Sequence, residues 1–258
     1  MNKILHGDCL ELMQDIESKS IDMILCDLPY GTTACKWDTI IPFDKLWKEY
    51  ERIIKPNGAI VLTASQPFTS ALVMSNIKMF KYELIWEKDK PSNFALANKQ
   101  PMKYHENILL FGKNQSIYNK QKTRREAGGL ERYKYIINQS NQKSEHLTLP
   151  QKPKKYDAEF KNPKSILKFS TGCRNNSLHP TQKPVELFEY LIKTYSNDGD
   201  LILDNCAGSG TTGEACLNTN RNYIQIEKEQ KYFDLILGRE KSFNKKDLYD
   251  GTLFETQM

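Results

Sequence analysis

Asp204-Asn205-Cys206-Ala207-Gly208-Ser209-Gly210-Thr211-Thr212-Gly213 is the stretch on which the reading of this 258-residue chain turns. Residues 201–204 read as a short buried strand and residues 211–218 as a helix, so the glycines between them make a strand-to-helix turn. Glycine lets backbone come close to a ligand, and the first turn of a helix offers N–H groups with no partner inside the helix. Gly208, Gly210 and Gly213 fit G-x-G-x-x-G. Glu227 closes the next strand, residues 223–227, about twenty residues on, where an acid can accept from ribose hydroxyls. Strand, turn, helix and acid together favour a nucleoside site over a turn of purely structural use. Two features argue against a nicotinamide dinucleotide: this is the last such unit of the chain, and an acid precedes the glycines on the strand.

The same alternation extends outward. Residues 2–7, 21–27 and 59–65 are short runs rich in Ile, Leu and Val, the composition of parallel strands buried on both faces. Residues 10–16 and 43–54 repeat with helical period, and Pro56-Asn57-Gly58 is a turn that ends the second of these helices. Residues 82–87 and 107–111 alternate as further strands. Downstream, residues 184–195 read as a helix with Pro184 in its first turn, and residues 232–240 as a last helix. Strands and helices alternating on both sides of an inserted segment specify an α/β fold with a doubly wound, mostly parallel sheet. No run approaches the ~18 apolar residues of a membrane span, and the first eight residues lack a signal-peptide apolar stretch. Six cysteines without a C-x-x-C pair fit reduced thiols in a cytoplasm, and no ligand cluster recommends a metal.

Charge divides the chain again. The net charge is +5, yet residues 113–168 hold fourteen Lys or Arg against five Asp or Glu, so the rest is slightly acidic. This segment carries Gly128-Gly129, Pro150, Pro153 and Pro163, and aromatics are spread along it and just past it: Tyr118, Tyr133, Tyr135, Tyr156, Phe160 and Phe169. It reads as an insertion with little core of its own. A charge run is most often a solvated face, but basic residues interleaved with aromatics are also the footprint of nucleic-acid binding. The expected organisation is therefore residues 1–112 and 178–258 as two halves of one sheet domain, with residues 113–177 inserted between them.

Two more segments carry chemistry. Asp27-Leu28-Pro29-Tyr30 leaves the carboxyl end of a buried strand, where open α/β sheets bind ligands. A carboxylate and a backbone carbonyl can accept from an amino group, Pro29 fixes the turn, and Tyr30 offers a face to a flat ring. The plainer alternative is a strand-end turn with a capping Asp and a core Tyr. His179-Pro180-Thr181-Gln182-Lys183-Pro184 gathers polar groups at a helix start, where they can hold a carboxylate or a ribose, although a lone His is more often structural.

In chain order these segments resemble the amino-group DNA methyltransferases, in the permuted arrangement called the beta class. That family runs from a catalytic D/N/S-P-P-Y segment through a target-recognition domain to H-P-T-Q-K-P and D-P-F-x-G-S-G-T-T cofactor segments. The resemblance covers residues 2–112 and 177–240. It departs at Leu28, which replaces the first Pro, and at Asn205-Cys206-Ala207, which replace Pro-Phe-x. The family uses the backbone carbonyl at the first position, which Leu also has, and the second change keeps the Asp and the glycines.

The resemblance implies a Rossmann-like methyltransferase fold with an inserted target-recognition region, S-adenosylmethionine as cofactor and double-stranded DNA as partner. A cognate restriction endonuclease and a homodimer are further partners it allows, in bacterial cytoplasm at the nucleoid. It places Asp204 and Gly208, Ser209 and Gly210 around the methionine portion, joined by His179, Thr181 and Lys183. Glu227 takes the ribose hydroxyls and Asp8, beside Cys9, the adenine amino group. Asn205, Cys206, Thr211 and Thr212 line the same pocket, with Asp27 at its edge. Asp27, Leu28, Pro29 and Tyr30 act on a flipped-out base, and an Asp in first position accompanies N6-adenine targets where Ser accompanies N4-cytosine. An NAD-dependent oxidoreductase explains only the glycines, and a non-catalytic DNA-binding protein leaves Asp27 and Tyr30 without a purpose.

Within the insertion, Lys122, Arg124, Arg125, Arg132 and Lys134 are the expected DNA contacts. Replacing Lys122, Arg124 and Arg125 together by Ala is expected to weaken DNA binding and leave cofactor affinity alone. The slope of log affinity on log salt should fall by about 0.9 per lost phosphate contact. Affinities measured at two salt concentrations check this, and a solvated loop predicts identical slopes.

Overall fold

The computed structural model describes residues 2–33, 35, 38–126, 159–171 and 182–252. They fall into two compact units, one built from Met1–Asn119 with Ser165–Met258 and the other from Lys120–Lys164. The described strands are β1 (Lys3–His6), β2 (Ile21–Asp27), β3 (Ile54–Ala64), β4 (Phe80–Ser92), β5 (Lys103–Phe111), β6 (Thr123–Arg124), β7 (Phe160–Lys161), β8 (Ile166–Lys168), β9 (Leu201–Asp204) and β10 (Asn222–Glu227). The helices are α1 (Cys9–Leu12), α2 (Phe43–Ile53), α3 (Phe68–Ser75), α4 (Val185–Tyr195), α5 (Thr211–Asn218) and α6 (Gln230–Thr252). In the larger unit eight strands make one sheet in the order β1-β10-β9-β2-β3-β5-β4-β8. Its pairings are parallel except for β5, which runs antiparallel to both β3 and β4. In the smaller unit β6 and β7 pair antiparallel.

Period-two alternation sets the layers. In β2 and β3, Ile24, Cys26, Ile60 and Leu62 point to one face, with Leu109 and Phe111 of β5. There they pack on Met13, on Leu46, Trp47, Tyr50 and Ile53 of α2, and on Phe68 and Leu72 of α3. The intervening residues Met23, Leu25, Ala59, Val61, Ile108 and Leu110 point to the other face. That face is covered by Leu187, Phe188, Leu191 and Ile192 of α4 and by Ala215 and Cys216 of α5. Both faces of the central strands are thus covered, which is why they read as continuous apolar runs. From the gap between β2 and β9 the chain winds outward both ways, to β3 and to β10. Such a reversal opens a crevice at the carboxyl ends of the strands.

Several local expectations change. The helix expected over residues 10–16 is a single α-turn followed by a 3-10 turn, Met13–Asp15. Pro56-Asn57-Gly58 lies inside β3 as a bulge, because Ile21 pairs with Ile54 but Met23 with Ala59. The last helix starts slightly before residue 232 and runs well past residue 240, over Gln230–Thr252. The separate unit is also narrower than residues 113–177, because the flanking chain is tied into the large sheet. The Asn119 N–H donates to Thr194 O (2.7 Å) and its side chain to Ser196 O (2.9 Å). On return, Ile85 N–H donates to Ser165 O (2.8 Å), β8 pairs with β4, and Leu167 is buried. Among the described residues no helix is long and apolar enough to cross a membrane.

Leu191 on α4 has no exposed surface and meets β2 and β3 through this second face. Leu191→Ala is expected to cost about 2–5 kcal/mol, read as a lower urea midpoint at unchanged slope.

Candidate active site

Because β1, β2, β9 and β10 are parallel, Gly7 and Asp8, Asp27, Asp204 and Glu227 all emerge at one edge of the sheet. They line one continuous cleft of about 1730 Å³. A pocket for one small ligand typically holds ~300–1,000 Å³, so this cleft has room for two.

Its first half is built on β1, β9 and β10. Asp204 is buried, accepts from Cys206 N (3.1 Å) and takes the Thr212 hydroxyl on its other oxygen. Burial pushes its carboxyl up to about 6, against the pull of those two donors. Gly210 has φ +80° just before α5, a left-handed backbone that any side chain would strain. A Cβ on Gly213 would come within 2.4 Å of the buried Gln225 amide, so this glycine sets how closely α5 meets β10. Glu227 accepts from the N–H groups of Gly208 (2.7 Å) and Glu229 (2.8 Å), and burial raises its pKa. A carboxylate has about four acceptor sites, so hydroxyl donors can still be taken. Asp8 caps α1 through Leu10 N (2.9 Å) and holds Lys228 (3.0 Å). Beneath the loop the free thiols of Cys206, Cys9 and Cys26 lie close together, and burial pushes Cys26 up to about 12. Tyr50 donates to Asn205 Oδ1 at 2.5 Å, so the residue replacing the family's Pro anchors the loop to α2.

The second half surrounds Asp27. Its Oδ1 accepts from the Tyr30 hydroxyl (2.7 Å) and from the Thr63 hydroxyl. Lys183 Nζ donates to Oδ2 at 2.6 Å. Thr63 is the register partner of Asp27 on β3, so both side chains fall on the face that α4 covers. Glu106 on β5 and its partner Trp86 on β4 have the same parity, as does Lys88 two residues on. Lys88 Nζ donates to Glu106 Oε1 at 3.0 Å and to Ser92 Oγ at 3.1 Å. Burial alone would lower the pKa of Lys183, but Asp27 and Glu106 beside it hold it above the usual lysine value. Burial would likewise raise Glu106, but Lys183 and Lys88 hold it below the usual range. Phe68 stacks on Tyr30 at 5.1 Å, and the Leu28 side chain is buried in the core. Asp38 receives the N–H groups of Gly31 (2.8 Å), Thr32 (2.9 Å) and Thr33 (2.6 Å), which fixes the loop after Tyr30.

The structure brings Asp8, Cys9, Asp27, Leu28, Pro29, Tyr30, Lys183, Asn205, Cys206, Gly208, Ser209, Thr211, Thr212, Asp204 and Glu227 to one cleft. Gly210 lies behind it. Lys183 lines this same cleft with its ammonium on Asp27, because it precedes α4, which packs over β2. His179, Thr181, Arg132 and Lys134 lie outside the described residues. Lys122 and Arg124 are exposed and Arg125 is half-buried. Thr63, Lys88, Lys103 and Glu106 were not anticipated. Their one sequence signal is a polar residue where an apolar strand reaches the carboxyl edge. Among the described residues no group of three or more His, Cys, Asp or Glu could hold a metal.

The raised Asp204 fixes a pH dependence for S-adenosylmethionine, the cationic cofactor that the family resemblance implies. The carboxylate is ionised above about pH 6 and protonated below it. Affinity should therefore be flat near neutrality and fall about tenfold by about pH 5. Calorimetry at the two pH values tests this, with Asp204→Asn expected to bind more weakly and without that pH dependence.

The family model described as DNA methylase (N6_N4_Mtase) matches residues 21–238. Type II methyltransferase M.HinfI of Haemophilus influenzae is 29% identical over 91% of this chain and 67% of its own length. DNA adenine methyltransferase YhdJ of Escherichia coli K12 is 28% identical over 92% and 81%. Among solved structures, an M1.HpyAVI complex with SAM superposes with a TM-score of 0.60 at 25% identity, covering 93% of this chain and all of that one. The PvuII DNA methyltransferase, named cytosine-N4-specific, shares the fold with a TM-score of 0.64 at 16% identity, over 91% of this chain and 84% of its own. With a glycine-loop cleft joined to Asp27 and Tyr30, and a family match spanning most of its length, the chain belongs to the DNA methylase family of amino-group methyltransferases.

Proposed function

We propose that the chain transfers the methyl group of S-adenosylmethionine to the N6 amine of an adenine flipped out of double-stranded DNA. The observation that carries this reading is the continuity of the cleft. Asp27 and Tyr30 face the same space as Asp204, the glycine loop and Glu227. Asp204 and the loop would hold the charged end of the cofactor, Glu227 the ribose and Asp8 the adenine ring. The cofactor, when bound, supplies a methyl group on a sulfonium.

The chain supplies the rest. A base inside a duplex is out of reach and must be extruded at a few kcal/mol, part of which an aromatic face returns by stacking at about 1–3 kcal/mol per base. Tyr30 is the aromatic beside Asp27, and Phe68 holds its ring in place. The amine is a weak nucleophile because its lone pair is delocalised into the ring. Asp27 and the Leu28 carbonyl, accepting from its two N–H groups, would localise that pair toward the methyl. Alignment in the cleft lowers the barrier further. As the N–C bond forms and the C–S bond breaks, positive charge grows on nitrogen beside the Asp27 carboxylate, which stabilises it. The nitrogen then gives up one proton, for which Asp27 is the acceptor at hand. No protein nucleophile is needed, and no cysteine here directly follows a Pro.

Asp27 supports adenine over cytosine, and so does the name of the Escherichia coli relative. The exposed Lys122 and Arg124 support a recognition role for the smaller unit. The type II names among the relatives are consistent with a cognate endonuclease.

Single-molecule sequencing of DNA from cells expressing the protein is expected to show N6-methyladenine in one short motif. N4-methylcytosine there would transfer the reading to cytosine, and unmodified DNA would sink it. Asp27→Ala should lower methyl transfer at least about a hundredfold while S-adenosylmethionine affinity stays within about twofold. Near-normal transfer by that variant would refute the role of Asp27.

A further inference from the structure

We propose that Lys183 is a movable counterion, passed from Asp27 to Glu106 when the target base enters, and that Glu106 is a positioning residue for methyl transfer. This rests on the methyl-transfer reading and adds a step that the reading lacks. Both Asp27 oxygens are already engaged, Oδ1 by the Tyr30 and Thr63 hydroxyls and Oδ2 by Lys183 at 2.6 Å. An incoming amine needs one of them. The hydroxyls can turn and Oδ2 keeps a second lone pair, but an ammonium on Oδ2 opposes the positive charge that grows on nitrogen.

Lys183 cannot simply withdraw into water. Its side chain is 7% exposed, and a buried ammonium without a partner is strongly destabilising. One acceptor stands ready beside it. Glu106 Oε2 lies 3.4 Å from Lys183 Nζ, is fully buried, and no donor among the described residues meets it in hydrogen-bond geometry. Its sister oxygen is committed to Lys88 at 3.0 Å. A charge-assisted bond normally closes to about 2.7–2.9 Å, so a shift of roughly half an ångström makes Glu106, and no longer Asp27, the closer partner of Lys183. Net charge in the cluster is unchanged, and the Asp27 carboxylate is less neutralised where the amine binds.

Single-turnover methylation of a duplex carrying the motif found by sequencing tests this. Glu106→Gln keeps the shape and removes the charge. Its transfer rate at saturating DNA and S-adenosylmethionine is expected to fall at least about tenfold, with both affinities within about twofold of wild type. Glu106→Asp keeps the charge but draws the carboxylate back by one methylene, and is expected to lose about threefold. A wild-type rate for Glu106→Gln would overturn the proposal. So would losses in both variants that follow cofactor affinity and thermal stability, as a purely structural ion pair predicts. Should the Gln variant not fold, a wild-type rate for Glu106→Asp would overturn it as well. Wild-type protein that methylates no DNA in the same assay would instead refute the methyl-transfer reading on which the proposal stands.

Discussion

Covering both faces of β2 is the constraint from which the rest of the molecule follows. Helices α2 and α3 close one face and α4 and α5 the other, so Met23, Ile24, Leu25 and Cys26 are wholly buried and the strand is apolar until it runs out of cover. Its first polar opportunity toward the carboxyl edge is Asp27. β9 and β10 likewise end on an acid, Asp204 and Glu227. The parallel direction of the strands gathers these acids into a single cleft.

Around Asp27 the cover does not end abruptly. The α4 face continues past Met23 and Leu25 as Asp27, past Val61 as Thr63, and down β5 from Ile108 to Glu106. Lys88 and Lys183 are nearly buried there, with side chains 5% and 7% exposed. Ions so removed from water persist only when each meets an opposite charge and further donors or acceptors. The alternating sequence Asp27, Lys183, Glu106, Lys88 provides this. Asp27 is thereby held as a shaped, hydrogen-bonded acceptor instead of a solvated carboxylate that a base would first have to strip of water.

The apolar strands and the glycine turn were legible because they depend on local pattern. Residues 21–27, 201–204 and 211–218 fall where the alternation and the Gly spacing put them. So do the residues whose signal is a short motif: Asp27 with Tyr30, and Asp204 with Gly208 and Glu227. What escaped is set by pairing across the sheet. Thr63 bonds to Asp27 only because β2 and β3 meet in that register, and Glu106 faces Lys183 through β5, which enters the sheet against the direction of its neighbours. No spacing along the chain encodes either contact. Helix α3 was missed for a different reason. In Phe68–Ser75 the hydroxyl residues Thr69, Ser70 and Ser75 are spread around the helix, with no charged stripe to mark the helical period. Lys183 was legible as a polar residue at a helix start, but its partner followed from where α4 docks.

The ties at Asn119 and Ser165 give the insertion a property that neither unit has alone. Asn119 is fastened to the carboxyl end of α4, and Ser165 to β4, within the same folded body. The entry and exit of the inserted chain are therefore fixed points whatever lies between them. Lengthening a flexible loop costs only about 0.6 kcal/mol per doubling. One segment can thus be exchanged for another of different length and composition without disturbing Asp27 or the glycine loop. The molecule is arranged as a constant body with an exchangeable segment held between two fixed points.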